Sequence, residues 1–142
     1  MKPFGVYLSA RFALADDLRR YRVDLLAHGF TCTARWLDGD LGGSAVMAEV
    51  DADDVDRSHA LVNFTDAPLP FSPHKFAARG GRHVEFGRAH ALRIPCIVCG
   101  PRENVFHYHP RGVIVVPSWP DALEALEQLR ATRDPRESEI LP

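Results

Sequence analysis

The chain has 142 residues, of which 46% are hydrophobic and 25% charged, and its net charge is −2. Those values fit one globular domain that buries roughly 68–70% of its unfolded surface, and they exclude disordered, collagen-like and coiled-coil chains. Near-neutral charge argues against a broad grip on a nucleic-acid polymer, and no apolar run approaches the ~20 residues of a membrane span. The start, Met1-Lys2-Pro3-Phe4, carries no secretory apolar segment. Three cysteines, Cys32, Cys96 and Cys99, stand at no framework spacing. The expectation is a cytoplasmic chain with reduced thiols, one domain over residues 1–130 and a polar tail over 131–142.

Residues 4–9 (Phe-Gly-Val-Tyr-Leu-Ser) read as a buried first strand. Residues 13–28 carry Leu14, Leu18, Tyr21, Leu25 and Leu26 on a helical stripe, stopped by His28-Gly29. A second strand follows at 30–36, then a Gly-rich loop. Residues 45–58 read as an acidic helix, with Val46, Met47, Val50 and Val55 inward and Asp51, Asp53, Asp54 and Asp56 mostly outward. The third strand is 60–65. Residues 66–81 hold Pro68, Pro70, Pro73 and Gly80-Gly81 without periodicity, and long loops in compact domains are often functional.

Residues 82–92 place Val84, Phe86, Ala89 and Leu92 at helical spacing. A fourth strand spans 93–99 and a fifth 113–116; the latter is apolar on both faces, which argues a central parallel sheet. Trp119, Leu123, Leu126 and Leu129 mark a last helix. This alternation predicts an α/β fold of the flavodoxin-like class: a doubly wound, five-stranded parallel sheet with helices on both faces. Ligands bind such sheets beyond the carboxyl ends of the strands.

The residues that reach that edge define the chemistry. Gly80-Gly81-Arg82-His83-Val84-Glu85 opens a helix with a carboxylate about one turn in. The ordinary role of such a glutamate is to complement the helix dipole. Aimed into a cleft, it is a nucleophile suited to a sugar's anomeric carbon. Tyr7 and Ser9 end the first strand, and a tyrosine there can orient a nearby carboxylate, although a core tyrosine reaching the rim is common. Asp53 and Asp56 share one helical face. His107 and His109 invite a zinc reading, but no further residues stand at ligand-like spacing, so no metal is expected. Phosphate-loop, dinucleotide-binding and nucleophile-elbow motifs are absent, and no cofactor is expected.

In this order the pieces resemble the nucleoside 2-deoxyribosyltransferase superfamily, which includes nucleotide N-glycosidases. The resemblance spans roughly residues 4–130 in the order of reading. It rests on Tyr7 in the first strand, the Asp-rich helix before Ala60-Leu61-Val62-Asn63, the run Gly-Gly-x-x-x-Glu-x-Gly-x-Ala from Gly80 to Ala89, and Ala91-Leu92-Arg93-Ile94-Pro95. It implies cleavage of the bond between a nucleobase and a (deoxy)ribose. Glu85 stands in the place of the nucleophile and Tyr7 in that of the tyrosine that positions it. Asp56, or else Asp53, matches the carboxylate that handles the proton of the departing base. Asn104 resembles a residue that reaches a neighbouring subunit's sugar, and His107 and Tyr108 are further pocket candidates. The implied partners are a small-molecule nucleoside or nucleotide and further copies of the chain, as a homodimer or higher homo-oligomer.

One departure concerns the base. Family transferases carry Asp-x-Gly-Thr before the glutamate, and here Ala78-Arg79-Gly80-Gly81 replaces it. Arg11, Arg79 and Arg82 suit a 5′-phosphate instead, which would favour a nucleotide N-glycosidase. Lys2 and Lys75 are the only lysines among 17 basic residues, however, so an arginine here carries little information by itself. A catalytically silent nucleotide-binding module, or an NAD-cleaving signalling domain like the Toll/interleukin-receptor domain, is the rival reading.

Overall fold

Val6, Leu8, Leu61, Val62, Ile97 and Val98 are fully buried and form the middle of a parallel sheet. In the computed structural model, residues 3–65 and 81–140 are described. The strands are β1 (Gly5–Ser9), β2 (Thr31–Cys32), β3 (Ala60–Phe64), β4 (Cys96–Cys99) and β5 (Val113–Val116). All neighbours pair in parallel, in the order β2-β1-β3-β4-β5. This is the expected flavodoxin-like sheet. The order reverses between β1 and β3, the switch point at whose carboxyl ends sheets of this class bind ligands.

The helices are α1 (Ala15–Ala27), α2 (Ser44–Asp56), α3 (Gly81–Ala91) and α4 (Trp119–Ile140). Tyr21 on α1 stacks on both Phe64 and Trp119, and the Trp119 indole N–H donates to Asp24 at 2.8 Å. This puts α1 and α4 on the face to which Phe64 points. Asn63 points the other way and donates to the Arg82 carbonyl at 3.2 Å, so α3, with α2 packed on it, covers the second face.

Several elements differ from the sequence reading. The second strand keeps two paired residues and then turns into a 3-10 segment, Arg35–Asp38, whose Trp36 indole donates to the Leu8 carbonyl at 2.9 Å. β5 is an edge strand, and its Ile114 is 40% exposed. The last helix runs on to Ile140, through the stretch read as a tail. In α3 the apolar stripe is displaced: Val84 and Leu92 are exposed, while Arg82, Phe86 and Ala89 are buried.

α2 holds the largest correction, because its acids are not all on a solvated face. Asp54 is fully buried. It accepts from the Arg35 backbone N–H and Nε, both at 2.9 Å, and from Arg57 Nη2 at 3.0 Å. A buried carboxylate needs such partners, and these fix α2 against the 3-10 segment after β2. At the other end of the fold, Gly100 (φ +121°) lets β4 pass the end of β3; a Cβ there would stand 2.4 Å from Thr65 Oγ1.

Asp54→Ala is expected to destabilise the chain by about 2 kcal/mol, the scale of charged hydrogen bonds lost from partners that can turn to solvent. A denaturant midpoint unchanged from wild type would refute that role.

Candidate active site

β1 alternates, so Tyr7 and Ser9 point to the same face, towards α3. Both are fully buried. On α3 the inward line of Arg82, Phe86 and Ala89 has the spacing of successive turns, and Glu85 falls on it. The two elements therefore meet through polar groups. The Tyr7 hydroxyl donates to Glu85 Oε2 at 2.6 Å, and Ser9 Oγ donates to Glu85 Oε1 at 2.7 Å. Both carboxyl oxygens are held from one strand.

Asp51, on α2, is the third member, and the acidic-face reading missed it. It interacts with both Tyr7 and Glu85, while its Oδ1 is buried with no hydrogen-bond partner among the described residues. The signal was in the helix period. Asp51 lies one turn before Val55, which the pattern already turned inward.

These neighbours set the proton chemistry. Burial pushes Glu85 up to about 7, opposed by the Tyr7 and Ser9 hydrogen bonds and reinforced by the Asp51 charge. Burial also raises Asp51. Tyr7 is raised far above the ordinary phenol, first by burial and then by the Glu85 and Asp51 charges, so its hydroxyl stays a donor. Two adjacent half-buried carboxyls disfavour double ionisation. The arrangement can thus hold one carboxylate and one carboxylic acid near neutral pH, a combination used for nucleophilic and acid–base work.

The other expected site residues fall elsewhere. Asp56 is exposed, and its two oxygens take Arg88 Nε at 2.5 Å and Nη2 at 2.7 Å. That ion pair lowers its pKa. The aspartate beside Tyr7 and Glu85 is Asp51. Asp53 is exposed on the same side, near Arg88. Arg82 is buried in a two-point ion pair with Glu103, which removes it from the free phosphate-binding arginines. Gly81 begins α3, and Arg11 follows β1, half-buried, its carbonyl accepting from Leu14 N–H at 3.0 Å. Gly80 and Arg79 lie outside the described residues. Asn104 Oδ1 accepts from Phe106 N–H at 2.9 Å, and its amide lies 3.4 Å from His83 Nδ1.

His107 is 1% exposed and packs edge-on against Phe86. Its Nδ1 accepts from Glu103 N–H at 3.0 Å, so the proton sits on Nε2. Burial lowers its pKa. Glu103, the partner of Arg82, was another residue that the sequence reading passed over. Among the described residues no cluster of three or more His, Cys, Asp or Glu side chains could hold a metal ion, and no helix is long and apolar enough to cross a membrane.

A half-buried, hydroxyl-held glutamate at the switch point of a flavodoxin-like sheet defines the class of site. No family model matches the chain, and no curated protein matches it. Solved structures share its fold, two of them as follows. A CMP N-glycosidase from Clostridium botulinum, BcmB, superimposes with a TM-score of 0.55 at 18% identity, covering 87% of this chain and 98% of its own. A conserved protein from Enterococcus faecalis V583 gives 0.62 at 17% identity, covering 89% and 99%. At these identities the likeness is one of fold.

A carboxyl raised on folding binds its proton more tightly in the folded chain than in the unfolded one. Its contribution to stability is therefore complete below the unfolded value of 4.5 and lost as pH rises through about 7. Glu85→Gln is expected to melt higher than wild type at pH 8, by at most roughly 3 kcal/mol in stability. The two proteins should converge near pH 4.5. Parallel melting curves across that range would show that Glu85 carries no such burden.

Proposed function

We propose that the chain cleaves the N-glycosidic bond of a nucleoside or nucleoside 5′-monophosphate through a covalent glycosyl–Glu85 intermediate. The observation that carries this reading is the Glu85 carboxyl, held on both oxygens by Tyr7 and Ser9. Free rotation of the carboxylate is removed before substrate arrives, which is the positional advantage a nucleophile needs. The C. botulinum neighbour, a CMP N-glycosidase by description, supports the substrate class.

In this reading a Glu85 oxygen attacks C1′ of the sugar. The C1′–N bond breaks, and its electron pair leaves on the base nitrogen, with a proton supplied by Asp51 in its acid form. Water then attacks C1′ and gives a proton to the Asp51 carboxylate, and the ester C1′–O bond breaks to return Glu85. Where a second base takes the place of water, the outcome is transfer. Asp51 thus assumes the role that the resemblance gave to Asp56 or Asp53. Arg11, just past the carboxyl end of β1, is assigned the 5′-phosphate of a nucleotide substrate. A second copy completes the site through Asn104, beside the exposed Val105 and Phe106.

The test is incubation with a panel of nucleosides and their 5′-monophosphates, with and without a second free base. Base release without exchange selects hydrolysis, and exchange selects transfer. Nucleotide binding without either, or consumption of NAD instead, defeats the reading in favour of a silent module or an NAD-cleaving domain. Glu85→Ala should abolish turnover, and Asp51→Asn should lower kcat ~10²–10⁴-fold, the scale of general acid–base catalysis. For the second copy, Phe106→Asp should convert the assembly to monomers by light scattering; a wild-type monomer would remove Asn104 from its role.

A further inference from the structure

The sheet has a second concave site, at the edge opposite Glu85. It is a cavity of about 530 Å³ at the amino ends of β4 and β5, lined by His90, Arg93, Ile94, Pro95, His109 and Arg111, among others. That volume is in the range of small-molecule sites. No described carboxylate lines it. Neither the Arg93 nor the Arg111 guanidinium has a hydrogen-bond or ion-pair partner among the described residues. Two uncommitted arginines facing one cavity form an unbalanced concentration of positive charge, unlike Arg35, Arg57, Arg82 and Arg88, each of which is paired with a carboxylate.

The backbone carries a second, independent sign. Arg93 has φ +63° and is the one non-glycine residue with positive φ among the described residues. It stands just past α3, where Arg93 N–H bonds the His90 carbonyl at 3.1 Å and Ile94 N–H bonds that of Ala89 at 2.9 Å. Glycine fits this helix-ending turn without strain. Arginine there keeps a strained backbone and gains only a side chain, and that side chain lines the cavity. Strain retained in this way points to use.

The walls are ordered as well. The His90 and His109 rings meet edge to face with centroids 4.2 Å apart. His90 Nε2 lies 3.2 Å from the Arg111 carbonyl oxygen, and Arg111 N–H donates to His109 Nδ1 at 3.2 Å. The approach to β5 is thereby fixed to the end of α3. Ile94 and Pro95 supply an apolar side. Guanidinium forks suit phosphate oxygens, and the apolar side suits a planar or hydrocarbon body. We propose that this cavity binds a small organic phosphate, at a site separate from Glu85 and independent of the glycosidic reading.

Phenyl phosphate, titrated into the full-length chain and followed by amide chemical shifts, is the probe. Saturable shifts centred on His90, Arg93, His109 and Arg111 are expected, with inorganic phosphate binding about tenfold more weakly for want of the apolar contact. Arg93→Gly should raise the melting temperature by ~3 °C through relief of the positive φ, yet bind phenyl phosphate at least ~10-fold more weakly, the loss of about one charged contact. A purely structural role for Arg93 predicts the higher melting temperature with binding unchanged. Arg111→Ala should weaken binding similarly, with nucleoside turnover intact. Absence of saturable shifts, shifts centred on Ser9 and Glu85, or binding that survives both substitutions would overturn the proposal.

Discussion

A carboxyl group half-buried between a sheet and a helix is held at low cost only if its oxygens are answered there. In this chain the answer comes from two hydroxyls of one strand, and much of the local architecture follows from that requirement. Tyr7 and Ser9 must be two residues apart, on a face that α3 covers. α3 must present Glu85 on its inward line, so an apolar residue is displaced from that line. α2 must approach closely enough for Asp51 to feel the same pair, which raises both carboxyls. The site is a seam that the fold has to close around a charge.

That seam is braced from its far side. Asn63, beside Ser9 in the β1–β3 register, donates to the Arg82 carbonyl in the first turn of α3. The Arg82 side chain reaches Glu103 after β4, and the Glu103 backbone N–H in turn holds His107, whose ring packs on Phe86. The chain of contacts runs from β3 through α3 to the loop after β4 and back into α3 one turn beyond Arg82. A helix fixed at Arg82 and Phe86 leaves Glu85, between them, little freedom. Arg82 therefore acts through the position of α3, which explains why an arginine at the head of a glycine-rich turn is not available to a phosphate.

The alternation of apolar runs made the parallel sheet readable, because parallel strands are buried on both sides and seldom carry polar interruptions. Tyr7 and Glu85 were readable from their places at the strand end and helix start. What the sequence hid was direction. In α2, four aspartates within six residues look like a solvated face, yet Asp51 and Asp54 turn inward and Asp53 and Asp56 outward, as a period of 3.6 requires. Val55 fixed the phase, but charge outweighed phase in the reading. In α3 the same error ran in reverse: Val84 and Leu92 look like core, and the stripe belongs to Arg82, Glu85, Phe86 and Ala89. Pair partners such as Arg82–Glu103 lie 21 residues apart and leave no local signal.

Among the described residues, three buried side-chain atoms without a hydrogen-bond partner lie around α3. Asp51 Oδ1, Asn63 Oδ1 and His107 Nε2 are all so placed, and their residues touch Tyr7 and Glu85, the head of α3, and Phe86 in turn. Each such group costs about 1–3 kcal/mol relative to a satisfied one. A fold selected for stability alone would scatter or remove them. Here they gather around α3, which carries one of the two raised carboxyls, and the Glu85 charge is itself a burden above pH 7. The cost in stability is therefore concentrated at the seam that carries the raised carboxyls, the pattern expected where a fold keeps a half-buried charge for use.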